Sequence, residues 1–269
     1  MLILIKGAGD LASGIALRLH HAGLDIVMTE IAAPLSVRRT VSFSQAVYNG
    51  YAQVEDVKAR LAKNGDEAAD VFLKREIAVL TDPAAAIVKV LKPTVLVDAI
   101  MAKKNTGTAI SDAPLVIGIG PGFCAGLDCQ AVIETQRGHS LGRVITKGSA
   151  LPNTGVPGDI GGYSSERLLR SPADGVFRAL ASIGDNVKKG DTVAIVNEIP
   201  LKAGIDGMLR GLLPSGIFVK HGMKAGDIDP RAERSLCFTV SDKALAIGGG
   251  VLEAILANLG MEFLFQDRF

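Results

Sequence analysis

A segment of 17 residues occurs twice in this chain. Asp174–Gly190, DGVFRALASIGDNVKKG, returns as Asp206–Gly222, DGMLRGLLPSGIFVKHG, displaced by 32 residues and identical at eight of the 17 positions. A pattern repeated at a fixed offset is one supersecondary unit used twice, each copy burying the other's apolar face. Around it, from about residue 122, Gly and Pro are frequent, as in GHSLGRV, LPNTGVPGDIGGY and LLPSG. Long helical patterns are absent there, and short strands such as Ala131–Thr135 and Arg143–Thr146 predict a β-rich region.

The repeat, with its dG…GdxVkkGdxvaiV pattern, resembles the barrel-sandwich fold of biotinyl and lipoyl carrier domains. That resemblance implies an attachment lysine at an exposed hairpin tip between the halves. The tip here reads Asn197-Glu198, and Lys202 lies further on, where a strand should already run. Covalent biotin or lipoate is therefore not expected.

The first 120 residues alternate strand and helix patterns. Leu2–Ile5 is an apolar run, Leu11–His21 places Leu11, Ile15, Leu17 and Leu19 near helical spacing, and Ile26–Thr29 is a strand. Val54–Leu61 reads as a helix and Ile77–Leu80 as a strand. Asp82-Pro83 opens a further helix over Ala84–Leu91, with Asp as cap and Pro at the first position. Thr94–Val97 and Leu115–Ile119 complete the set. Apolar strands separated by helices predict a parallel sheet covered on both faces. The expected fold class is α/β: a Rossmann-like parallel-sheet domain over 1–125, then a β-rich barrel-sandwich domain (biotinyl/lipoyl-carrier-like) over 126–242 holding the repeat 174–190/206–222. A C-terminal helical segment follows over 243–269. In it, Leu245–Leu259 reads as a helix after the cap Ser241-Asp242, interrupted by Gly248-Gly249-Gly250.

Composition narrows the function classes. With 29 basic and 28 acidic residues the net charge is +1, and no basic run is present. This speaks against nucleic acid or an anionic membrane as partner. No apolar run approaches the ~18 residues that span a bilayer, and Leu2–Ile5 is too short for a signal-peptide core. A soluble, cytoplasmic protein is expected, with a homo-oligomer open. Three sparse cysteines, Cys124, Cys129 and Cys237, suit buried packing better than a disulfide framework. Trp is absent and aromatics are only 4%, so stacking on bases or sugars is not the main business.

The chemistry-bearing motifs gather at predicted strand ends. In KGAGDLASG, Gly7 permits a tight turn and Gly9 a close phosphate approach, while Ala12 fills the third small position. Glu30, at the end of DIVMTE, lies where an acid would bind a ribose hydroxyl. Asp10 opposes this, because a carboxylate in the first helical turn already offsets the dipole and repels a pyrophosphate. Arg38 and Arg39 suit a 2′-phosphate or an anionic substrate, or a solvated surface. VLVDAIMAKKN offers Asp98, Lys103, Lys104 and Asn105, and IGIGPGFCAGLD offers Gly120, Gly122, Phe123 and Asp128. Ligands of open parallel sheets bind at such carboxyl ends. VIETQRGHSLGRV adds Glu134, Arg137, His139 and Arg143, with His139 the best titratable candidate of the second half. Lys103 and His139 are the candidate catalytic residues. Gly7, Gly9, Asp10, Glu30, Arg38, Asp98, Asn105, Gly120 and Gly122 are the candidate cofactor-binding residues. His20 and His21 read as structural or exposed, and no Cys/His cluster has metal spacing.

Taken in order, KGAGDLASG, PLSVRRTVSF, VDAIMAKKN, IGPGF, VIETQRGHSLGRV, NTGVPG and KAGDIDPR resemble the YqeB family over essentially the whole chain. That resemblance implies an accessory protein of the selenium-dependent molybdenum hydroxylase system. The expectation is a maturation factor for such an enzyme or its cofactor, with a molybdenum hydroxylase client and NAD(P) or another nucleotide in the Rossmann-like domain. An NAD(P)-dependent oxidoreductase and a non-catalytic assembly scaffold are the alternatives. The resemblance supplies no catalytic residues, and whether the chain is an enzyme stays open.

Overall fold

The computed structural model describes residues 1–259. They form two compact units. The first holds Met1–Pro34, Ser42–Asn153 and the chain from Val240 onward; the second holds Leu35–Val41 and Thr154–Thr239. The expected boundary after residue 125 thus differs from the observed one. Residues 126–153 and the last helix join the first unit, and Leu35–Val41 joins the second. The part of the expected segment 243–269 beyond 259 lies outside the described residues.

The first unit is built in chain order from β1 (Leu2–Lys6), α1 (Asp10–His21), β2 (Asp25–Glu30), α2 (Gln45–Asn49), β3 (Tyr51–Val54) and β4 (Val57–Ala62). Then come α3 (Gly65–Phe72), β5 (Ile77–Thr81), α4 (Val88–Leu91), β6 (Val95–Asp98), β7 (Leu115–Ile119), β8 (Ala131–Ile133) and β9 (Val144–Ile145). Among the described residues these strands make one sheet in the order β3-β4-β5-β2-β1-β6-β7-β8-β9. From β4 to β8 each pairing is parallel, and both outer pairings are antiparallel. The register aligns Val27 with Leu4 and Ala78, and Leu96 with Leu4 and Val116. These five residues form a buried apolar row across the sheet.

Two local readings change. Val54–Leu61 is a hairpin rather than a helix: β3 and β4 pair across Glu55-Asp56, with Glu55 at φ 53°. Val57 and Ala59 are buried while Lys58 and Arg60 face out, a period of two that belongs to a strand. The helix expected over Ala84–Leu91 shrinks to Val88–Leu91. Ala85 takes φ 51°, and the Asp82 carboxylate accepts the Ile87 amide at 2.8 Å, holding the stretch as a turn.

The Rossmann-like expectation is corrected on the same grounds. A doubly wound parallel sheet returns through a helix at each crossover. Here the β6–β7 and β7–β8 crossovers carry no α-helix, and the edges are antiparallel, so the sheet is mixed. The cover comes from α5 (Asp242–Leu259), which packs on α1, β7, β8 and β9. Ser241 caps α5 by accepting the Ala244 amide on its hydroxyl. The three glycines do not interrupt this helix; two of them, Gly248 and Gly250, let it approach its neighbours. A methyl on Gly250 would stand 2.1 Å from the Gly142 carbonyl oxygen, whereas one on Gly249 would meet nothing within 4 Å. Gly250→Ala is expected to destabilise by about 1–3 kcal/mol. Gly249→Ala is expected to stabilise by up to about 1 kcal/mol through helix propensity. Urea unfolding of the two variants checks the opposite signs.

The second unit contains β10 (Leu168–Arg170), β11 (Gly175–Ala179), β12 (Asn186–Val187), β13 (Thr192–Val196), β14 (Ile199–Lys202), β15 (Gly207–Leu212), β16 (Phe218–Val219) and β17 (Lys224–Asp229). The repeat governs the pairing. Phe177 faces Val196 in β11–β13, and Leu209 faces Ile228 in β15–β17, the same pair 32 residues on. Each half also lends its short strand to the other: β11 pairs β16, and β15 pairs β12. Two four-stranded sheets result, β10-β17-β15-β12 and β14-β13-β11-β16. Phe177, Leu209, Val187, Val219, Val196 and Ile228 meet in one apolar core. The hairpin tip Asn197-Glu198 has both residues at positive φ and carries no lysine, and Lys202 ends β14. The biotinyl/lipoyl-carrier label is not retained; exchanged short strands describe the unit without it.

Candidate functional site

At the carboxyl edge of the parallel strands, acids close the strand ends. Loop amides there lack helical partners and need acceptors. Glu30, last in β2, accepts the Ala8 and Ile31 amides at 3.0 and 2.8 Å. Glu134, just after β8 and 2% exposed, accepts those of Thr135, Gln136 and Leu151 at 2.7–2.8 Å. Asp128 accepts the Cys124 amide at 2.8 Å and Asn105 Nδ2 at 3.1 Å. Asp98, last in β6, accepts the Thr108 hydroxyl at 2.6 Å and the Ile100 amide at 3.2 Å.

Asp98 also belongs to a buried charge pair. Lys6, last in β1, places its ammonium 3.4 Å from Asp98 and donates to Thr108 Oγ1 at 2.6 Å. Lys6, Asp98 and Thr108 are all buried. Asn105 accepts the Gly107 and Thr108 amides and donates to the Thr108 carbonyl, which fixes the loop between β6 and β7. In that loop Met101 and Lys103 take φ values of 62° and 63°. Left-handed backbone at residues with side chains stores strain, and such strain clusters at functional sites. A methyl on Gly122 would lie 2.6 Å from the Lys104 backbone, so this glycine lets the β7–β8 loop close against the Lys103–Lys104 turn. Both lysines are exposed.

The roles expected of the glycine loop change here. Glu30 holds the Ala8 amide, a donor that a pyrophosphate would use, so this acid supports the loop instead of awaiting a ribose. Asp10 opens α1 as the acidic residue of its first turn, after the N-cap Gly9. It lies within electrostatic reach of Lys243, a residue that motif reading passed over. Contacts of Gly14 with Ala244 and of Gly248 with Arg18 set α1 and α5 side by side in the same direction. Both helices therefore begin at this edge, where their positive dipole ends converge. Arg137, in the turn after Glu134, binds Asp242 through two bonds at 2.7 and 2.9 Å.

Lys243 sits half-buried among these groups. Burial, then the Arg137 charge, pull its ammonium below the ordinary 10.5, against the opposing pull of Asp10, Glu134 and Asp242. A lysine with a lowered folded-state value binds fewer protons folded than unfolded. Its contribution is therefore complete above 10.5 and lost as pH falls through the folded value. Lys243→Met is expected to flatten the rise in Tm between neutral and alkaline pH and to raise Tm at neutral pH. Melting curves across that range check it.

Other expected site residues stand elsewhere. Arg38 is buried in the second unit, donating to the Leu236 and Thr239 carbonyls at 3.0 and 3.1 Å. Arg39 donates to the Leu212 carbonyl at 2.7 Å. Both tie Leu35–Val41 to the second unit, so the 2′-phosphate role is corrected to a structural one. His139 is exposed in the turn between β8 and β9, outside the strand-end network. Gly120 lies against Thr135. Burial pushes the Cys129 thiol up to about 11 and raises that of Cys237, which makes both poor nucleophiles. Among the described residues no three His, Cys, Asp or Glu side chains gather to hold a metal, and no helix is long and apolar enough to cross a membrane.

Fold and site define a mixed α/β unit with an acid-braced, lysine-bearing strand edge, joined in sequence to a strand-exchanged β unit. By sequence the chain is a relative of YqeB. It is 52% identical over 255 residues to Uncharacterized protein YqeB of Escherichia coli (strain K12), which covers 95% of this chain and 47% of that protein. The chain thus spans about half the length of the curated relative it matches. That match carries the YqeB resemblance but no link to a selenium-dependent molybdenum hydroxylase. No family model matches. Solved structures found similar include an aspartoacylase family protein from Mesorhizobium loti, at 10% identity, 86% of each chain and TM-score 0.28. A succinylglutamate desuccinylase from Silicibacter matches at 15% identity, 84% of each chain and TM-score 0.26. The ectoine utilization protein EutE of Ruegeria pomeroyi matches at 12% identity, over 76% of this chain and 57% of that one, with TM-score 0.24. The mixed sheet, with no α-helix in the β6–β7 and β7–β8 crossovers, and the Ala8 amide held by Glu30 correct the Rossmann-like label and the expected nucleotide-binding maturation role. At such TM-scores the three solved structures assign this chain neither their fold nor their chemistry.

Proposed function

We propose that the first unit binds a small anionic metabolite at the carboxyl edge of its parallel strands and moves a proton on it through Lys243. The carrying observation is the division of labour among charges. Glu30, Asp98, Asp128 and Glu134 are committed to the protein's own amides and hydroxyls, while Lys104 faces solvent and Lys243 has a weakened hold on its proton. Converging helix N-termini favour negative charge at the same edge. A lysine whose proton is held less tightly than usual suits general acid–base work, with Asp10 as the neighbouring carboxylate.

Calorimetric titration with mono-, di- and tricarboxylates and phosphates, with NAD(H) and NADP(H) as comparison arms, tests this reading. Saturable binding of a small anion, lost in Lys243→Met and weakened in Lys104→Gln, is the expected result. If no small anion binds, or if Lys243→Met binds as tightly as wild type, the reading fails. The YqeB resemblance also implies association with a selenium-dependent molybdenum hydroxylase. As a proposal about a partner alone, it is tested by co-purification from cells that make such an enzyme.

A further inference from the structure

The outer face of the sheet β14-β13-β11-β16 is bare. Along β11, Phe177 belongs to the core, while Val176 and Arg178 on either side of it are exposed. Residues directly opposite on paired strands share a face. Phe218 of β16 stands opposite Val176, and Ile195 of β13 links Arg178 to Pro200 of β14. Val176 and Phe218 are 55% and 64% exposed, and Leu180, just past β11, is 51% exposed. A contiguous apolar patch on a folded surface marks an interaction site. Arg178 is the one charge among these six residues, and its side chain makes no hydrogen bond or ion pair among the described residues.

The repeat shows how such a face is satisfied. Displaced by 32 residues, Val176, Arg178 and Ile195 become Met208, Arg210 and Asp227, which are 7%, 8% and 1% exposed. There the β15–β17 register slips between Leu209 and Gly211, so Arg210 is the extra residue of a bulge. Its guanidinium bonds Asp227 and Asp229 at 2.7 and 2.9 Å. Segments of the same unit lie over that half. The Leu212 amide donates to the Val37 carbonyl at 2.8 Å, and the Cys237 thiol lies 3.8 Å from the Leu209 carbonyl. The first half has Ile195 and Asn197 in place of the two acids, so Arg178 gains no partner on its own face. The acid near this face is Glu198, exposed at the β13–β14 tip. Phe177 pairs with Val196, so this tip lies beyond Val176 on the side away from Arg178. The Glu198 side chain likewise has no hydrogen bond or ion pair among the described residues.

We propose that this face is a twofold interface between two copies of the chain. An axis lying in the face and crossing the strands at Val176 and Phe218 sets each of these residues against its own copy. The same rotation reverses β11, which brings Arg178 of each copy to Glu198 of the other. Two ion pairs then flank an apolar centre, whereas an axis along the strands would oppose Arg178 to Arg178. Sedimentation velocity of the full chain over a concentration series tests this. Wild type is expected to pass from monomer to dimer as concentration rises, and Phe218→Asp to weaken dimerisation about tenfold or more. Arg178→Glu and Glu198→Arg should each weaken it, and the double variant Arg178→Glu/Glu198→Arg should recover most of the loss. Urea unfolding at dilutions where the chain is monomeric checks that each variant folds. If Phe218→Asp does not, Val176→Asp takes its place. A wild type that stays monomeric up to its solubility limit overturns the proposal and leaves the face to a different polypeptide. A dimer that Phe218→Asp leaves as tight as wild type overturns it too, as does a double charge reversal without recovery.

Discussion

Asp98→Ala is expected to destabilise the first unit by about 3–5 kcal/mol, because it strands the Lys6 ammonium in a buried position. Lys6 and Asp98 end neighbouring parallel strands and lie 3.4 Å apart, with the Thr108 hydroxyl bonded to both. Removing the acid also frees the Ile100 amide and loosens the loop that carries Lys103 and Lys104. The double variant Lys6→Met/Asp98→Leu removes the orphaned charge and is expected to recover most of the loss. Urea unfolding of wild type, Lys6→Met, Asp98→Leu and the double variant gives the coupling energy. A loss below about 1 kcal/mol in Asp98→Ala would show that the pair is effectively solvated. The single variant should also weaken any anion binding at the strand edge, since Thr108 and Asn105 hold the same loop.

Asp227→Ala should have an effect of similar size on the second unit, about 3–5 kcal/mol, because two buried arginines lose their shared partner. Arg167 and Arg210 are 7% and 8% exposed, and each binds a different oxygen of this carboxylate. Arg178→Ala, at the matching position of the first half, should change stability by no more than about 0.5 kcal/mol, since its side chain is exposed. Thermal and urea unfolding of the two variants test the contrast. Acid titration adds a second readout. Asp229 is held below its ordinary 3.8, so its contribution is present above that pH and lost as pH falls through the lower folded value.

Much of the scaffold was legible from local pattern. The apolar runs of β1, β2, β5, β6, β7 and β8 appear as strands because a fully buried strand needs apolar side chains on both faces. The acids that end DIVMTE and VLVD, and Glu134 after AVI, are legible as candidates, but the sequence assigns them to a ligand where the structure has them closing strand ends. The hairpin over Tyr51–Ala62 was misread because a period of two over six residues is short beside helical alternatives. Gly248–Gly250 was misread because propensity weighs glycine against a helix, while the tight approach to Gly142 needs it there.

Residue order alone sets which stretches are buried and, through the repeat, which strands of the second unit correspond. Hydrophobic period and internal copying are local properties of the chain, and the paired registers 32 residues apart follow from them. The placement of charges follows instead from three-dimensional packing. Lys243 meets Asp10 because α1 and α5 run side by side, Glu30 reaches the Ala8 amide because β1 and β2 pair in parallel, and Arg210 turns inward because one strand carries a bulge. A hydrogen bond or ion pair depends on which groups the fold brings within about 3 Å. No spacing along the chain encodes that distance.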